Sequence, residues 1–305
     1  MNMRILVSIC TLDRDEGLRK CLESITRQIL PSNVSVSVCV TVNKDSISDS
    51  TREIVHSFDW PSETPVLLAE SRPGIPHARN RGLQHALDNN YTHIAFIDDD
   101  AFAAPDWLGR LVDSFGDRWC AVGGPQKSIV PSLGRPSLEA SKIYAGRKLA
   151  SGAETWWTAT NNALADLSEI RKHGIRFDSD FAECGGSDTL FFWQLTRASG
   201  KSIRWNAEAI VTEPVPLSRM SALWLFRRAY RYGASGALIH RKVLGRWQGF
   251  KACAINAARL ILKSPSAFVA AARGRRSMFD GATDIVLGIG YLLGQFRAAR
   301  PRRYV

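Results

Sequence analysis

Ile94-Ala-Phe-Ile-Asp-Asp-Asp100 decides the fold of this 305-residue chain, because a short apolar run of strand type ends in three adjacent carboxylates. In an open α/β sheet ligands gather at the carboxyl ends of the strands, so the triplet falls where a site belongs. Three neighbouring carboxylates repel one another and stay ionised most readily with a hard cation among their oxygens. Mg2+ or Mn2+, held by one or two carboxylates and a diphosphate, meets that need and would neutralise charge on a departing nucleoside diphosphate. The alternative is a helix cap ahead of Pro105-Asp-Trp-Leu108, which needs one Asp and leaves two unused.

Outward from this strand, β-rich runs alternate with helical patterns. Ile5–Cys10, Val34–Val42, Val66–Ala69 and Cys120–Gly123 are the other strands expected, with helices near Gly17–Gln28, Asp49–Phe58, Pro76–Asp88 and Pro105–Phe115. That order predicts a doubly wound α/β domain with a mostly parallel sheet. Residues 127–157 read as a long excursion, 163–173 as a helix, Lys201–Trp205 as a strand and Arg219–Val243 as a basic helix. No G-x-G-x-x-G follows the first strand, and no Walker-type loop or H-E-x-x-H occurs, so neither a dinucleotide fold, a P-loop nor a zincin is supported.

Two further segments can carry chemistry. Gly185-Gly-Ser-Asp188 is a glycine turn that feeds a helix with an acid at its start. Asp188 is either an ordinary cap or a base placed to take a proton from an incoming hydroxyl. Pro73-Gly-Ile-Pro-His-Ala-Arg-Asn80 opens a helix near Arg72, Arg79 and Arg81, offering N–H groups and positive charge to phosphates. The six histidines form no metal-spaced cluster.

Composition is that of a folded protein, 45% hydrophobic and 23% charged, but charge is unevenly placed. Residues 219–305 hold 17 of the 40 Lys and Arg and only two of the 29 acids, Asp280 and Asp284, a balance of +15. The first 218 residues sum to −4. Apolar blocks lie between the C-terminal arginines, a pattern suited to an anionic membrane surface rather than to nucleic acid. Ala282–Phe296 as a helix reaches about 22 Å, short of a ~30 Å hydrocarbon core, so helices in the cytoplasmic leaflet are expected. A soluble subdomain with a solvated basic face is the alternative. Gly290-x-x-x-Gly294 would let such helices pack closely. The start at Met1 runs directly into a strand without a leader pattern, and the six cysteines are scattered singly. A cytosolic N-terminus and reduced thiols are therefore expected.

Taken in order, the segments resemble family 2 glycosyltransferases of GT-A fold, from about Arg4 to about Gly236. The resemblance is carried by Val7-Ser-Ile-Cys-Thr11, Cys21-Leu-Glu-Ser-Ile25 with Gln28, Ala78-Arg-Asn80, Phe96-Ile-Asp-Asp-Asp100, Thr160-Asn-Asn-Ala163, Phe177 and Gly185–Asp188. A finer likeness, to bacterial exopolysaccharide glucosyltransferases of the succinoglycan type, rests on Glu213-Pro-Val-Pro216, Arg219 and Arg228-x-Tyr230-Arg-x-Gly233. The resemblance implies a catalytic domain, set at 1–218, and the charge division sets a basic, membrane-associating helical region at 219–305. It implies an inverting, Mg2+- or Mn2+-dependent transfer from a nucleotide sugar, UDP-linked by expectation, to a saccharide on a polyprenyl diphosphate. The place implied is the cytoplasmic face of the inner membrane.

By position, Asp98 is expected toward the ribose, Asp100 toward the metal and diphosphate, and Asp99 within the donor site. Thr11 and Asn43 fall at the nucleotide base, Arg79 at the donor and Asp188 at the general base. Trp156 and Trp157 are expected to stack on acceptor sugars or to sit in the core. This chain departs from the pattern in three places. Asn43 stands where many members have Asp, leaving Asn43 or Asp45 for the base. Ser187 precedes the catalytic Asp, where Glu is frequent. Glu213 stands near the place of a histidine ligand, so either it joins the metal or Asp100 and phosphate hold the ion alone. Rival readings are a sugar nucleotidyltransferase, which would need a Gly-rich loop after the first strand, and a non-catalytic basic binder of membrane or nucleic acid.

Overall fold

The computed structural model describes residues 3–60, 63–274 and 277–296. In chain order the elements of the first half are Met3–Thr11 (β1), Asp15–Thr26 (α1), Val34–Val42 (β2), Asp49–His56 (α2), Val66–Ala69 (β3), Ile75–Asp88 (α3), His93–Asp98 (β4), Phe102–Ala103 (β5), Trp107–Asp113 (α4) and Trp119–Gly123 (β6). There follow Gln126–Ile129 (β7), Pro136–Glu139 (α5), Glu154–Thr155 (β8), Asn162–Asp166 (β9), Leu167–His173 (α6), Ser187–Ser199 (α7), Ser202–Trp205 (β10), Val211–Pro214 (β11), Ala222–Ala272 (α8) and Phe279–Leu293 (α9). They form two compact units. Unit 1 is Met1–Lys127, Arg147–Ala182 and Ser187–Glu213; unit 2 is Ser128–Gly146, Glu183–Gly186 and Pro214–Val305. Unit 2 contains the region expected from 219 together with 214–218 and two upstream segments.

Unit 1 is built on an eight-stranded sheet of order β3-β2-β1-β4-β9-β6-β10-β8. β3, β2, β1 and β4 run parallel, β6 and β10 share their direction, and β9 and β8 run against it. β1 is covered on both faces, which is why its sequence is almost continuously apolar. Successive side chains alternate between faces. Ile5, Val7 and Ile9 join Leu18, Cys21 and Leu22 of α1 in one core, while Leu6 joins Leu83 of α3, Phe96 of β4 and Phe191 of α7 in the other.

The helix expected over 163–173 is corrected by the structure. Asn162–Asp166 is a strand, bonded on one side to β4 and on the other to β6, and only Leu167–His173 is helical. Ala163, Leu164 and Ala165 are fully buried, so pairing on both edges overrides the helical preference of Ala and Leu. Asp166 then caps α6 by accepting from the Ser168 N–H at 2.7 Å, and Gly174 ends it in the left-handed region at φ 64°. The excursion over 127–157 contains β7, α5 and β8 and contributes 128–146 to unit 2.

In unit 2, Leu138, Tyr144, Val215, Met220 and Leu225 form a small core. α8 is broken at Gly245 (φ 77°, ψ 178°), which divides it into arms 222–244 and 246–272. α9 packs on both arms through small residues. A Cβ on Gly290 would stand 2.3 Å from the Tyr230 carbonyl oxygen, and Gly294 lies against Ala234, so Gly290-x-x-x-Gly294 does make a close helix contact. Asp280 and Asp284 are both buried, and Lys142 binds them: its N–H donates to the Asp280 carboxylate at 3.0 Å and its ammonium pairs with Asp284. The outer faces carry Trp247 (77% exposed), Leu262 (80%) and Phe296 (62%). Among the described residues no helix is long and apolar enough to cross a membrane. Arg275, Arg276, Arg297, Arg300, Arg302 and Arg303 lie outside the described residues.

Candidate active site

Parallel pairing of β1 with β4 sets Cys10 beside Asp98, so the turn after β1 runs along the acidic triplet. The three carboxylates separate by direction. Asp99 is 3% exposed and points inward, where Thr11 Oγ1 donates to its Oδ2 at 2.6 Å and Arg14 Nη1 to its Oδ1 at 3.0 Å. Burial pushes the Asp99 carboxyl up to about 6, against the lowering effect of those two partners. Asp98 and Asp100 keep part of their side-chain surface, 31% and 23%. Asp98 pairs with Arg79 Nη2 at 3.1 Å, and Asp100 with Arg14 Nη1 at 2.9 Å.

The two residues expected at the base each hold a neighbouring turn or carboxylate. Thr11 is buried and spends its hydroxyl proton on Asp99. The Asn43 amide nitrogen donates to the carbonyls of Glu70 at 2.9 Å and Arg72 at 2.7 Å, and its oxygen accepts from the Gly74 N–H at 2.8 Å. Asn43 therefore shapes the turn that delivers α3. In that turn Arg72 grips Glu70 through two nitrogens at 2.8 and 2.9 Å, and this hydrogen bonding holds the Glu70 carboxyl down to about 2. Arg72 is committed to a carboxylate, while Arg79, one turn into α3, reaches Asp98.

An aromatic stack ties α3, β4 and α7 together. Asn80 accepts from the Phe177 N–H at 2.9 Å and donates to the Phe177 carbonyl at 2.8 Å, which fixes that residue against α3. The Phe177 ring stacks on Phe191 of α7 at 4.1 Å, and Phe96 of β4 meets both edge-on. The Arg79 guanidinium lies over Phe177, 5.8 Å from the ring centre. Asp188 is one turn upstream of Phe191, so the rings that hold β4 also hold the helix start that carries it. Asp188 Oδ1 accepts from the Thr189 N–H at 2.8 Å, within the first turn of α7.

Glu213 lies on β11, whose antiparallel pairing with β5 sets Thr212 opposite Phe102 and so carries Glu213 toward the residue-100 end. Its carboxylate accepts from Gln126, whose own oxygen accepts from Asn161 at 2.7 Å. Among the described residues no three His, Cys, Asp or Glu side chains are gathered to hold a metal ion. Two half-exposed carboxylates, Asp98 and Asp100, still suit a divalent cation that arrives with phosphate oxygens, because Mg2+ commonly takes only one or two carboxylates from protein. Trp156 and Trp157 part company: Trp156 is 50% exposed, whereas Trp157 packs against the core under the Arg147 guanidinium, 4.5 Å from its ring. Sequence reasoning missed Arg14 and Asn80. The signal for Arg14 was a cation in Thr11-Leu-Asp-Arg14, in the turn that follows the strand paired with the acidic one.

Three likenesses bear on this arrangement. Over 295 residues, 96% of this chain and 93% of that protein, the chain is 27% identical to the succinoglycan biosynthesis protein ExoM of Rhizobium meliloti (strain 1021). The mannosyltransferase PcManGT from Pyrobaculum calidifontis, solved with GDP-Man and Mn2+, superposes with a TM-score of 0.61 at 20% identity, covering 96% of this chain and 88% of its own. S. aureus TarS 1-349 in complex with UDP gives 0.50 at 14% identity, covering 96% and 90%. At these identities the two structures speak for the fold, which is GT-A. The family described as Glycosyl transferase family 2 matches residues 6–165, slightly more than half of the sequence, and to that family this chain belongs.

Proposed function

We propose that the chain is an inverting transferase that moves a sugar from a UDP-sugar to a saccharide carried on a polyprenyl diphosphate, in the synthesis of an exopolysaccharide or cell-surface glycan. The observation that carries this is the outward pair Asp98 and Asp100, joined through the Phe96–Phe177–Phe191 stack to the helix start that bears Asp188. Asp188 accepts the proton of the acceptor hydroxyl as its oxygen attacks the anomeric carbon, and the bond from that carbon to the diphosphate breaks with inversion. Asp98 and Asp100 would hold Mg2+ or Mn2+, with Glu213 as a further candidate ligand; the ion supplies charge neutralisation to the leaving diphosphate. Asp99, turned inward, fixes Thr11 and Arg14 instead of touching the donor. Arg79, only 10% exposed, holds Asp98 in place. Trp156 offers an exposed face to acceptor sugars.

For unit 2 we propose attachment to the anionic cytoplasmic face of the inner membrane, near the lipid-linked acceptor. Its apolar outer positions and the acid-free sequence of α8 support that assignment. The decisive experiment replaces Asp188 with Asn. Transfer should fall by roughly 10²–10⁴-fold while nucleotide affinity stays within about twofold. Turnover at the wild-type rate would remove Asp188 as the base.

A further inference from the structure

Two arginines neutralise the acidic strand end, and they are held differently. Arg79 is 10% exposed, lies over the Phe177 ring and pairs with Asp98. Arg14 is 45% exposed, stands at the start of α1, and uses one nitrogen, Nη1, to bridge Asp99 at 3.0 Å and Asp100 at 2.9 Å. Of the two carboxylates it bridges, Asp99 is fixed in the interior by Thr11, while Asp100 faces outward. One guanidinium nitrogen thus sits against Oδ2 of the carboxylate that would hold a divalent ion.

A bare cation arriving there meets a positive group at contact distance and must displace it with nothing offered in return. A cation arriving with a nucleoside diphosphate brings the displaced guanidinium a new anionic partner, since arginine pairs with phosphate as readily as with carboxylate. We propose that Arg14 is a resident counter-ion of Asp100 that turns to the diphosphate when metal and nucleotide bind, and so couples the two binding events. This rests on the metal-dependent transfer proposed above and adds a positioning residue to it. By thermodynamic reciprocity, the factor by which nucleotide tightens metal binding equals the factor by which metal tightens nucleotide binding.

The test titrates Mn2+ into the full chain, following free Mn2+ by electron paramagnetic resonance, without nucleotide and then with saturating UDP or GDP. Wild-type protein should bind Mn2+ about tenfold more tightly with nucleotide present. Arg14→Gln should bind Mn2+ alone several-fold more tightly than wild type and lose most of the nucleotide enhancement. Should Gln at this position unfold the protein, Arg14→Lys carries the test, with a smaller gain for Mn2+ alone and a partial loss of coupling. Metal affinity in either variant equal to or below that of wild type, with coupling intact, overturns the role of Arg14 and leaves the transferase reading standing. A wild-type protein that takes up no Mn2+ with UDP or GDP overturns both the metal and Arg14.

Discussion

At the end of β4 in unit 1 each carboxylate of the triplet meets an arginine, whereas in unit 2 the two acids of residues 219–305 turn inward to Lys142. The 51 residues of α8 contain none at all. The first arrangement is a balanced set of ion pairs that a small charged ligand can re-sort. The second is a one-signed field that only an extended negative surface can balance. The same contrast runs through the packing. Unit 1 fixes its site with large rings and reciprocal hydrogen bonds, while unit 2 brings helices together by leaving side chains out.

The largest test of that contrast is Gly290→Val. Its Cβ would stand within 2.3 Å of the Tyr230 carbonyl oxygen, so the contact between α9 and α8 must open. A loss of roughly 3 kcal/mol or more is expected, read as a lower melting temperature and early proteolysis within 222–296. UDP binding by unit 1 should persist, and its loss would erase the distinction between the units.

Next in size, Asn80→Ala removes both hydrogen bonds to Phe177 and should cost about 2 kcal/mol, with turnover falling more than nucleotide affinity. Equal losses in both would deny the stack a part in placing Asp188.

A smaller effect is a pH slope within unit 1. Burial lowers His93 to about 4, so its stabilising neutral form is lost as pH falls from 6.5 toward 4. Asp99, raised to about 6, has the opposite sign and stabilises the fold as pH falls through the same range. In the wild type the two contributions nearly cancel, so between pH 6.5 and 4 melting curves should show stability rising with acid in His93→Gln and falling with acid in Asp99→Asn, each by about 1 kcal/mol per pH unit. The smallest effect on the fold is Trp247→Ser, which should change stability by no more than a few tenths of a kcal/mol. The same variant should weaken sedimentation with anionic vesicles several-fold, and unchanged sedimentation would remove Trp247 from the membrane-facing surface.

Most strands and helices of unit 1 were legible because burial on alternate residues or every third to fourth residue leaves a period in the sequence. The helix expected over 49–58 is Asp49–His56, and that over 76–88 is Ile75–Asp88. β9 was illegible for the opposite reason: Ala163-Leu-Ala165 has no period of its own and becomes a strand only because β4 and β6 flank it. At the site, residue types announced charge but not direction. Nothing in Asp98-Asp-Asp100 tells which carboxylate turns inward, since that depends on Thr11 and Arg14, more than 80 residues away in sequence. Nor does Asn43 by its type announce that its amide holds the turn at 70–74.

β9 also bears on how the protein is made. The block β3-β2-β1-β4 is complete once Asp98 has been synthesised, yet its β4 edge gains a partner only when Asn162–Asp166 emerges. At ordinary elongation rates that interval lasts on the order of ten seconds, during which Ile94-Ala-Phe-Ile97 offers an open hydrogen-bonding ladder to any neighbouring nascent chain. Recombinant yield should therefore respond to slower growth temperatures and to holdase co-expression, with soluble protein rising as that waiting edge is shielded.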